Sequence, residues 1–377
     1  MRYAPWLFAT IFLQACDEQP RARPQHAEWV EHAPSVAKHF TVLSNGGARR
    51  LIVFGTGGSN DTIADRLIAP DSADANCTGC ISAKRLAVLS TTYLPYISAL
   101  GRAERIVGSE HLDQVRDVEV KKLIGKGLVT DIGTADGSDR EAVLALAPDL
   151  VLGYPFGRNS GEMDLAGVPL LLVAEYLEPH PLGRAEWLKF FGTLLGKEQL
   201  ADSLFSGIAE RYEKAQARVG AETRPKVLFG SQWNGQWWVP PGNSYMAQLI
   251  SDAGGAYVFA DLQGKENIAV DMETILARAS NAEFWGMIAD IDHQPTVDDF
   301  TGGQERLNHM RSLDGGLFVG NTARSDLFGQ ALVEPDRLLN DLVILFKGIA
   351  IDGPPVVERP YFSRVLADLP APRIPAE

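Results

Sequence analysis

The side chains in this chain best suited to chemistry are aromatic rings and cations that bind rather than react, and they gather after short apolar runs. Tyr154, Phe156 and Arg158 follow Leu150–Gly153, Trp233, Trp237 and Trp238 follow Lys226–Gly230, and Arg324 follows Leu317–Gly320. In an open α/β sheet, ligands bind beyond the carboxyl ends of the strands. That rule collects Thr91, Thr92, Tyr93, Tyr154, Phe156, Arg158, Glu175 and Tyr176 in the first half of the chain. In the second half it collects Gln232, Trp233, Asn234, Trp237, Trp238, Tyr245, Asp290, Asn321 and Arg324. Ring faces beside a few donors and one or two cations suit a bulky, flat or anionic small molecule. Trp237 and Trp238 are adjacent on a strand, so they point to opposite faces and at most one meets a ligand. Tyr176 and Tyr257 suit a core as well as a site. Arg184 and Glu186, at a helix start, suit a structural role at a junction.

Reactive constellations are missing. The chain has no Gly-x-Ser-x-Gly elbow, no P-loop and no complete dinucleotide fingerprint; Gly55-Thr-Gly57-Gly58 lacks its third glycine, because position 60 is Asn. His26, His32, His39, His111, His180, His293 and His309 are scattered, with no pair at helical ligand spacing, so neither a resident metal nor a cofactor is expected. His180, near Glu175 and Tyr176, is the one histidine to watch, although a surface-loop position without a ligand role is the expectation for it. A net charge of −13 argues against a nucleic-acid partner, which needs a basic surface.

The elements that would position these residues read clearly. With 377 residues, 45% of them hydrophobic and 22% charged, the chain can form two ordinary globular units. Strands at Leu86–Ser90, Arg105–Ser109, Leu128–Ile132, Leu150–Gly153 and Val168–Ala174 alternate with helices at Tyr93–Leu100 and Asp139–Ala147. The same alternation returns from Lys226 to Phe346, and short continuous apolar strands between helices mean parallel sheets covered on both faces. Between the halves, Leu200, Leu204, Phe205, Ile208, Tyr212, Ala215 and Val219 recur at helical spacing, predicting one long amphipathic helix that ends at Gly220. Asp139-Arg-Glu and Asp271-Met-Glu each open a helix followed by a strand, an echo expected of two similar lobes. The predicted fold is therefore two α/β lobes with mainly parallel sheets joined by one long helix. A small β-hairpin, Phe40–Leu43 with Leu51–Phe54 around Asn45-Gly46, precedes them.

The chain opens with one positive charge, a short apolar run and Leu13-Gln-Ala-Cys16, which resembles a bacterial lipobox. The run is too short to span a bilayer, for which about 20 apolar residues are needed. Acylation of Cys16 would hold the protein on the periplasmic side of a membrane, and Asp17 resembles the signal for retention at the inner membrane. Export favours a disulfide for Cys77 and Cys80, over a redox pair or half a metal site, since no second Cys pair completes a zinc site. The boundaries that follow are a signal peptide over 1–15, a tether over 16–36, a β extension over 37–84, a first lobe over 85–190, a linking helix over 191–222, a second lobe over 223–348 and a tail over 349–377.

Four stretches together resemble one family: Arg85-Leu-Ala-Val-Leu-Ser-Thr-Thr92, Ala147-Pro-Asp-Leu-Val-Leu152, Pro181-Leu-Gly-Arg-Ala-Glu-Trp187 and Tyr245-Met-Ala-Gln-Leu-Ile-Ser-Asp-Ala-Gly-Gly255. They are similar to the substrate-binding lipoproteins of ABC importers for iron-siderophore complexes and cobalamin, over roughly Arg85 to Gly348. The resemblance implies a monomer that binds its ligand between two lobes on a rigid helix and delivers it to permease and ATPase subunits. It also implies a Glu on each lobe that docks on the permease; Glu162 is near the first position, whereas Ala253-Gly-Gly-Ala-Tyr257 has no Glu at the second. The expected cargo is a siderophore-type iron chelate, with cobalamin or haem as the alternative; a periplasmic two-lobed enzyme or an interaction module is the rival from another class. The expected ligand residues are Thr92, Tyr93, Tyr154, Phe156, Arg158, Glu175, Tyr176, Trp233, Trp238, Tyr245 and Arg324. The lipobox reading is tested by metabolic labelling with a palmitate analogue, which should mark the wild type and not Cys16→Ala; equal labelling of both would refute it.

Overall fold

The computed structural model describes residues 28–69, 79–135, 137–156, 165–220, 224–313, 316–348 and 360–365. Cys16, Cys77, Arg158 and Glu162 lie outside them; Cys80 is disulfide-bonded. At the amino-terminal end, β1 (Val30–His32), β2 (Phe40–Asn45), β3 (Ala48–Phe54) and β4 (Thr62–Ile68) form an antiparallel sheet in that order. Leu51 and Val53 of β3 and Ala64 and Ile68 of β4 are buried, the one-sided pattern of such a sheet. The expectation of a hairpin is thus too small, and β1 falls inside the stretch read as a tether. β1 is exposed throughout, and the Asp65 and Arg66 of β4 mask its alternation; neither carries an apolar signal.

The first lobe follows in chain order: β5 (Leu86–Val88), α1 (Leu94–Ala99), β6 (Ile106–Ser109), α2 (Val118–Gly125), β7 (Thr130–Asp131), a small hairpin of β8 (Gly133–Thr134) and β9 (Gly137–Ser138), α3 (Arg140–Ala145), β10 (Leu150–Gly153) and β11 (Leu170–Leu172). Its five-stranded sheet, β11-β10-β5-β6-β7, is parallel throughout.

Two helices come next, α4 (Pro181–Leu195) and α5 (Glu198–Ala217). The sequence reading runs one helix over 191–222, whereas the structure divides that stretch at Gly196, which ends α4 in the left-handed conformation (φ 65°). The bridging falls to α4. It packs on α1 of the first lobe and on β2 and β3 of the extension. Every residue of α4 except Arg184 and Lys189 is buried. A helix buried all round has no polar face, so its periodicity hides it in the sequence. By contrast α5 buries one face, Ala201, Phe205, Ile208, Tyr212 and Ala215, and that face is what the periodicity reports. The two helices touch closely: a methyl group on Gly192 would lie 2.5 Å from the Ala201 side chain.

The second lobe runs through β12 (Lys226–Phe229), β13 (Ser231–Trp233), β14 (Gln236–Val239), α6 (Tyr245–Asp252), β15 (Ala256–Tyr257), β16 (Ile268–Val270), α7 (Met272–Ala279), β17 (Phe284–Ala289), α8 (Val297–Thr301), β18 (Gly316–Asn321), α9 (Pro335–Lys347) and β19 (Phe362–Val365). Its main sheet, β15-β12-β17-β18-β19, is parallel except for β19, a strand from the stretch read as a tail. α4 also packs on α6 and α9 here. The two Asp caps hold both halves of the echo: Asp139 accepts from Ala142 N–H at 3.0 Å and Asp271 from Thr274 N–H at 2.7 Å.

Aromatic packing and two buried carboxylates weld the extension to α4. The Phe40 ring lies 4.9 Å from Trp187, and Tyr96 of α1 stacks on Phe191 at 4.9 Å. Glu186 accepts from Ser35 N–H (2.8 Å) and Oγ–H (2.8 Å), Val36 N–H (2.7 Å), Ala37 N–H (2.9 Å) and Lys189 Nζ (2.9 Å). Burial pushes its pKa up, but these donors outweigh burial and hold it below the ordinary carboxylate value. A carboxyl whose folded pKa is depressed stabilises the fold above its unfolded pKa and loses that contribution as pH falls through the folded value. Glu186→Gln should therefore lower unfolding free energy by about 1.5–3 kcal/mol at pH 7, measured by urea denaturation. The gap between wild type and variant should close once the pH drops below the carboxylate range; a gap independent of pH would refute the ionic role.

Candidate ligand-binding cleft

A cleft of about 890 Å³ opens where the extension, the amino-terminal end of α4 and the second lobe meet. Its size and mixed lining fall within the range of small-molecule sites. Arg184 is its central cation. The Arg184 Nε–H donates to the Glu178 carbonyl at 3.2 Å and Nη2–H to the Tyr176 carbonyl at 3.0 Å, while the guanidinium carbon lies 4.2 Å from the centre of the Tyr245 ring. One edge of the fork is thus fixed by neutral oxygens and its face by an aromatic ring. No carboxylate stands within ion-pair distance of it among the described residues, so its charge is available to an anionic ligand. Lys38 and Lys265 add two further ammonium groups to the wall, and Glu266 adds a carboxylate near Tyr176.

The apolar part of the wall combines the rings of Tyr176, Phe229, Trp238, Tyr245 and Phe328 with aliphatic side chains such as Met246 and Ile288. Ser244 caps α6 by accepting from Ala247 N–H, which sets Tyr245 at the start of that helix and under Arg184. Trp238 and Trp237 take opposite faces of β14: Trp237 is buried against Trp285 at 5.4 Å, and Trp238 lines the cleft. Burial pushes the phenol pKa of both Tyr176 and Tyr245 upward, so both stay neutral donors at pH 7.

Of the residues expected from sequence, Tyr176, Trp238 and Tyr245 meet in this cleft. Tyr154 and Phe156 approach it through a ladder of rings, Tyr154 to Phe156 at 4.5 Å and Phe156 to Tyr176 at 4.9 Å. Thr92 and Glu175 stand below that ladder, joined by Thr92 Oγ1–H donating to Glu175 at 2.7 Å. Burial pushes the Glu175 carboxyl up, against the Thr92 hydroxyl and the nearby Arg184.

Three expected residues, Tyr93, Trp233 and Arg324, sit elsewhere, and so does His180, which was not among them. Tyr93 is 1% exposed, its hydroxyl donating to the Gly153 carbonyl at 3.1 Å; it follows its strand too closely to escape the core. Trp233 is on the same hairpin face as Trp238 but in the pair next to the Asn234-Gly235 turn, which carries it past the cleft to 68% exposure. Arg324 donates to the His293 carbonyl at 2.9 Å and stays exposed, while the buried Asn321 side chain bonds the Ile291 backbone. His180 caps α4, its Nδ1 accepting from Leu182 N–H at 3.1 Å, and burial pushes its pKa down despite Asp252 nearby.

Arg184, Lys265, Phe328 and the extension's Lys38, His39 and Thr56 also line the cleft, though strand-end reasoning passes over them. Arg184 did carry a signal: a cation at the start of a helix opposes the helix dipole, which favours cations at the other end. The extension carried none.

Comparisons with known proteins agree with this architecture. The sequence pattern described as Periplasmic binding protein matches residues 86–313. An uncharacterized lipoprotein of Methanocaldococcus jannaschii is 26% identical over 290 residues, which cover 71% of this chain and 66% of that protein's length. The fold is similar to that of a periplasmic binding protein from Veillonella parvula, with a TM-score of 0.60, 14% identity and coverage of 76% of this chain and 95% of the other. It is also similar to that of a periplasmic heme binding protein from Pseudomonas aeruginosa, with a TM-score of 0.56, 18% identity and coverage of 75% and 98%. Among the described residues, no helix is long and apolar enough to cross a membrane. With the matched pattern spanning more than half of the chain and both lobes in place around α4, this protein belongs to the Periplasmic binding protein family.

Proposed function

We propose that the chain is the substrate-binding component of an ABC importer and that it carries a metal chelate in the cleft to a permease and its ATPase. The observation that carries this reading is Arg184, a cation held by two carbonyls and a tyrosine ring with no carboxylate within ion-pair distance among the described residues, in a wall that includes several aromatic side chains. That combination fits cargo with a flat or bulky apolar body and anionic oxygens at its edge. An iron chelate of the siderophore type meets the description, and so does haem or cobalamin. The fold neighbours support this range: one is a heme binding protein, and another, from Vibrio cholerae, is a vitamin B12 binding protein. The reading is of a carrier and not an enzyme. A lipid anchor at Cys16 on the periplasmic face, docking through Glu162, a Cys77–Cys80 disulfide, and lobes over 85–190 and 223–348 complete the proposal.

Calorimetry with a ferric siderophore, haemin and cobalamin tests it directly. One of the three should bind saturably at one site, and absence of heat with all of them at micromolar protein would remove the carrier reading. A charge-assisted hydrogen bond contributes about 1.5–3 kcal/mol, so Arg184→Ala should weaken binding roughly ten- to a hundred-fold. Arg184→Lys, which keeps the charge but not the fork, should fall between.

Location of the ring contact is tested by fluorescence. Trp238→Phe should remove most of the ligand-induced change in tryptophan emission, whereas Trp233→Phe, at the hairpin tip, should keep it. The reverse pattern would place the ligand outside this cleft.

A further inference from the structure

His39 precedes β2 and reaches the cleft from the extension, outside the segment that the family pattern covers. Its backbone is pinned: N–H donates to Glu178 at 2.9 Å, and the carbonyl accepts from Phe54 N–H at 2.8 Å. Its ring is pinned as well. Nδ1 lies 3.2 Å from the Phe54 carbonyl oxygen and 3.1 Å from the Gly55 carbonyl oxygen. Both oxygens only accept, so Nδ1 carries the proton. In the neutral ring the lone pair is then on Nε2, which has no hydrogen-bond partner among the described residues.

A histidine that binds a metal through one nitrogen commonly donates its other N–H to a backbone carbonyl or carboxylate, which fixes the tautomer and the ring plane. His39 has that arrangement already made, on a half-buried ring in the wall of a ligand cleft. It is not part of a full ligand set: among the described residues, no group of three or more His, Cys, Asp or Glu could hold a metal ion. One imidazole cannot capture a bare ion. It can complete the coordination of a metal that arrives already chelated and keeps an exchangeable position perpendicular to a flat ligand. Haem iron is held in this way by a histidine. A siderophore that saturates its iron offers no such position.

The geometry points to His39 Nε2 as an axial ligand to the metal of a bound tetrapyrrole, a ferric porphyrin or a cobalt corrinoid. The lone pair replaces a water or anion on the metal, and no electron is transferred. Trp238, Tyr245 and Phe328 offer apolar surface to the macrocycle, and Arg184 offers a partner for a porphyrin's propionate or for the phosphodiester of a cobalamin. This inference rests on the chelate-carrier reading and narrows it to cargo with an open axial site.

The test is absorption spectroscopy of the full chain titrated separately with haemin and aquocobalamin, for the wild type and His39→Gly. With the correct cargo, the wild type should bind one equivalent and show the band shift of a nitrogen-ligated metal. His39→Gly should still bind but lose that shift, and added imidazole should restore it. A shift with haemin alone identifies the porphyrin, and with aquocobalamin alone the corrinoid. Identical spectra for bound wild type and His39→Gly would overturn the ligation and leave the carrier reading intact. No saturable binding of either compound by the wild type would also overturn it; the carrier reading fails only if the ferric siderophore is not bound either. Should His39→Gly fail to fold, pulsed EPR with ¹⁵N-histidine decides on the wild-type complex of whichever compound binds, haemin or cobalamin reduced to cobalt(II): histidine nitrogen coupling to the metal supports the assignment, and its absence refutes it.

Discussion

Two buried carboxylates gripping five residues of backbone are the constraint on which the cleft depends. Glu178 and Glu186 are 1% and 0% exposed, and an ionised carboxylate taken out of water costs far more than burial of its methylenes returns. The cost is offset only if the oxygens are filled with donors. The segment from Ser35 to His39 supplies them: Ser35, Val36 and Ala37 N–H groups to Glu186, Lys38 and His39 N–H groups to Glu178, with Trp187 Nε1–H adding a bond to Glu178 at 3.2 Å. Each side solves the other's problem, because those N–H groups would otherwise be backbone donors without partners beside a buried helix. Removing one partner leaves the other unsatisfied, so the contact is cooperative and the extension is part of the folded body.

The same residues explain how an acidic chain can present a cation in its cleft. The net charge is −13, yet Arg184 lies only a few residues from Glu178 without forming an ion pair with it. Glu178 turns its side-chain oxygens to the backbone N–H groups of Lys38 and His39 and offers Arg184 only its carbonyl. The Glu178 side chain is thereby committed to the backbone, and the Arg184 guanidinium is held by carbonyl oxygens instead of by that carboxylate.

How much of this was legible in the sequence depends on whether a residue announces its partner. The parallel sheets were legible, since short apolar strands between helices have few other uses. The helix α5 was legible because it buries one face, and α4 was not, because an all-round buried helix shows no period. Tyr176, Trp238 and Tyr245 were found by the strand-end rule and by helix starts, whereas Tyr93 and Trp233 met the same rule and went to the core and to a hairpin tip. The difference there is tertiary: one residue of register, or one pair along a ladder, moves a ring out of the cleft.

The extension marks the limit of such reading. Its strands carry charged residues, its approach to α4 is set by backbone N–H groups that have no sequence identity, and its cleft residues follow no strand of either lobe. Yet it supplies the wall opposite the second lobe, and it does so through the one contact that also frees Arg184. The scaffold that the family pattern covers and the extension outside that pattern therefore meet at the Glu178 peptide unit. The side chain of that residue fixes the extension, its carbonyl fixes the cation, and the shape and charge of the cleft are set together rather than lobe by lobe.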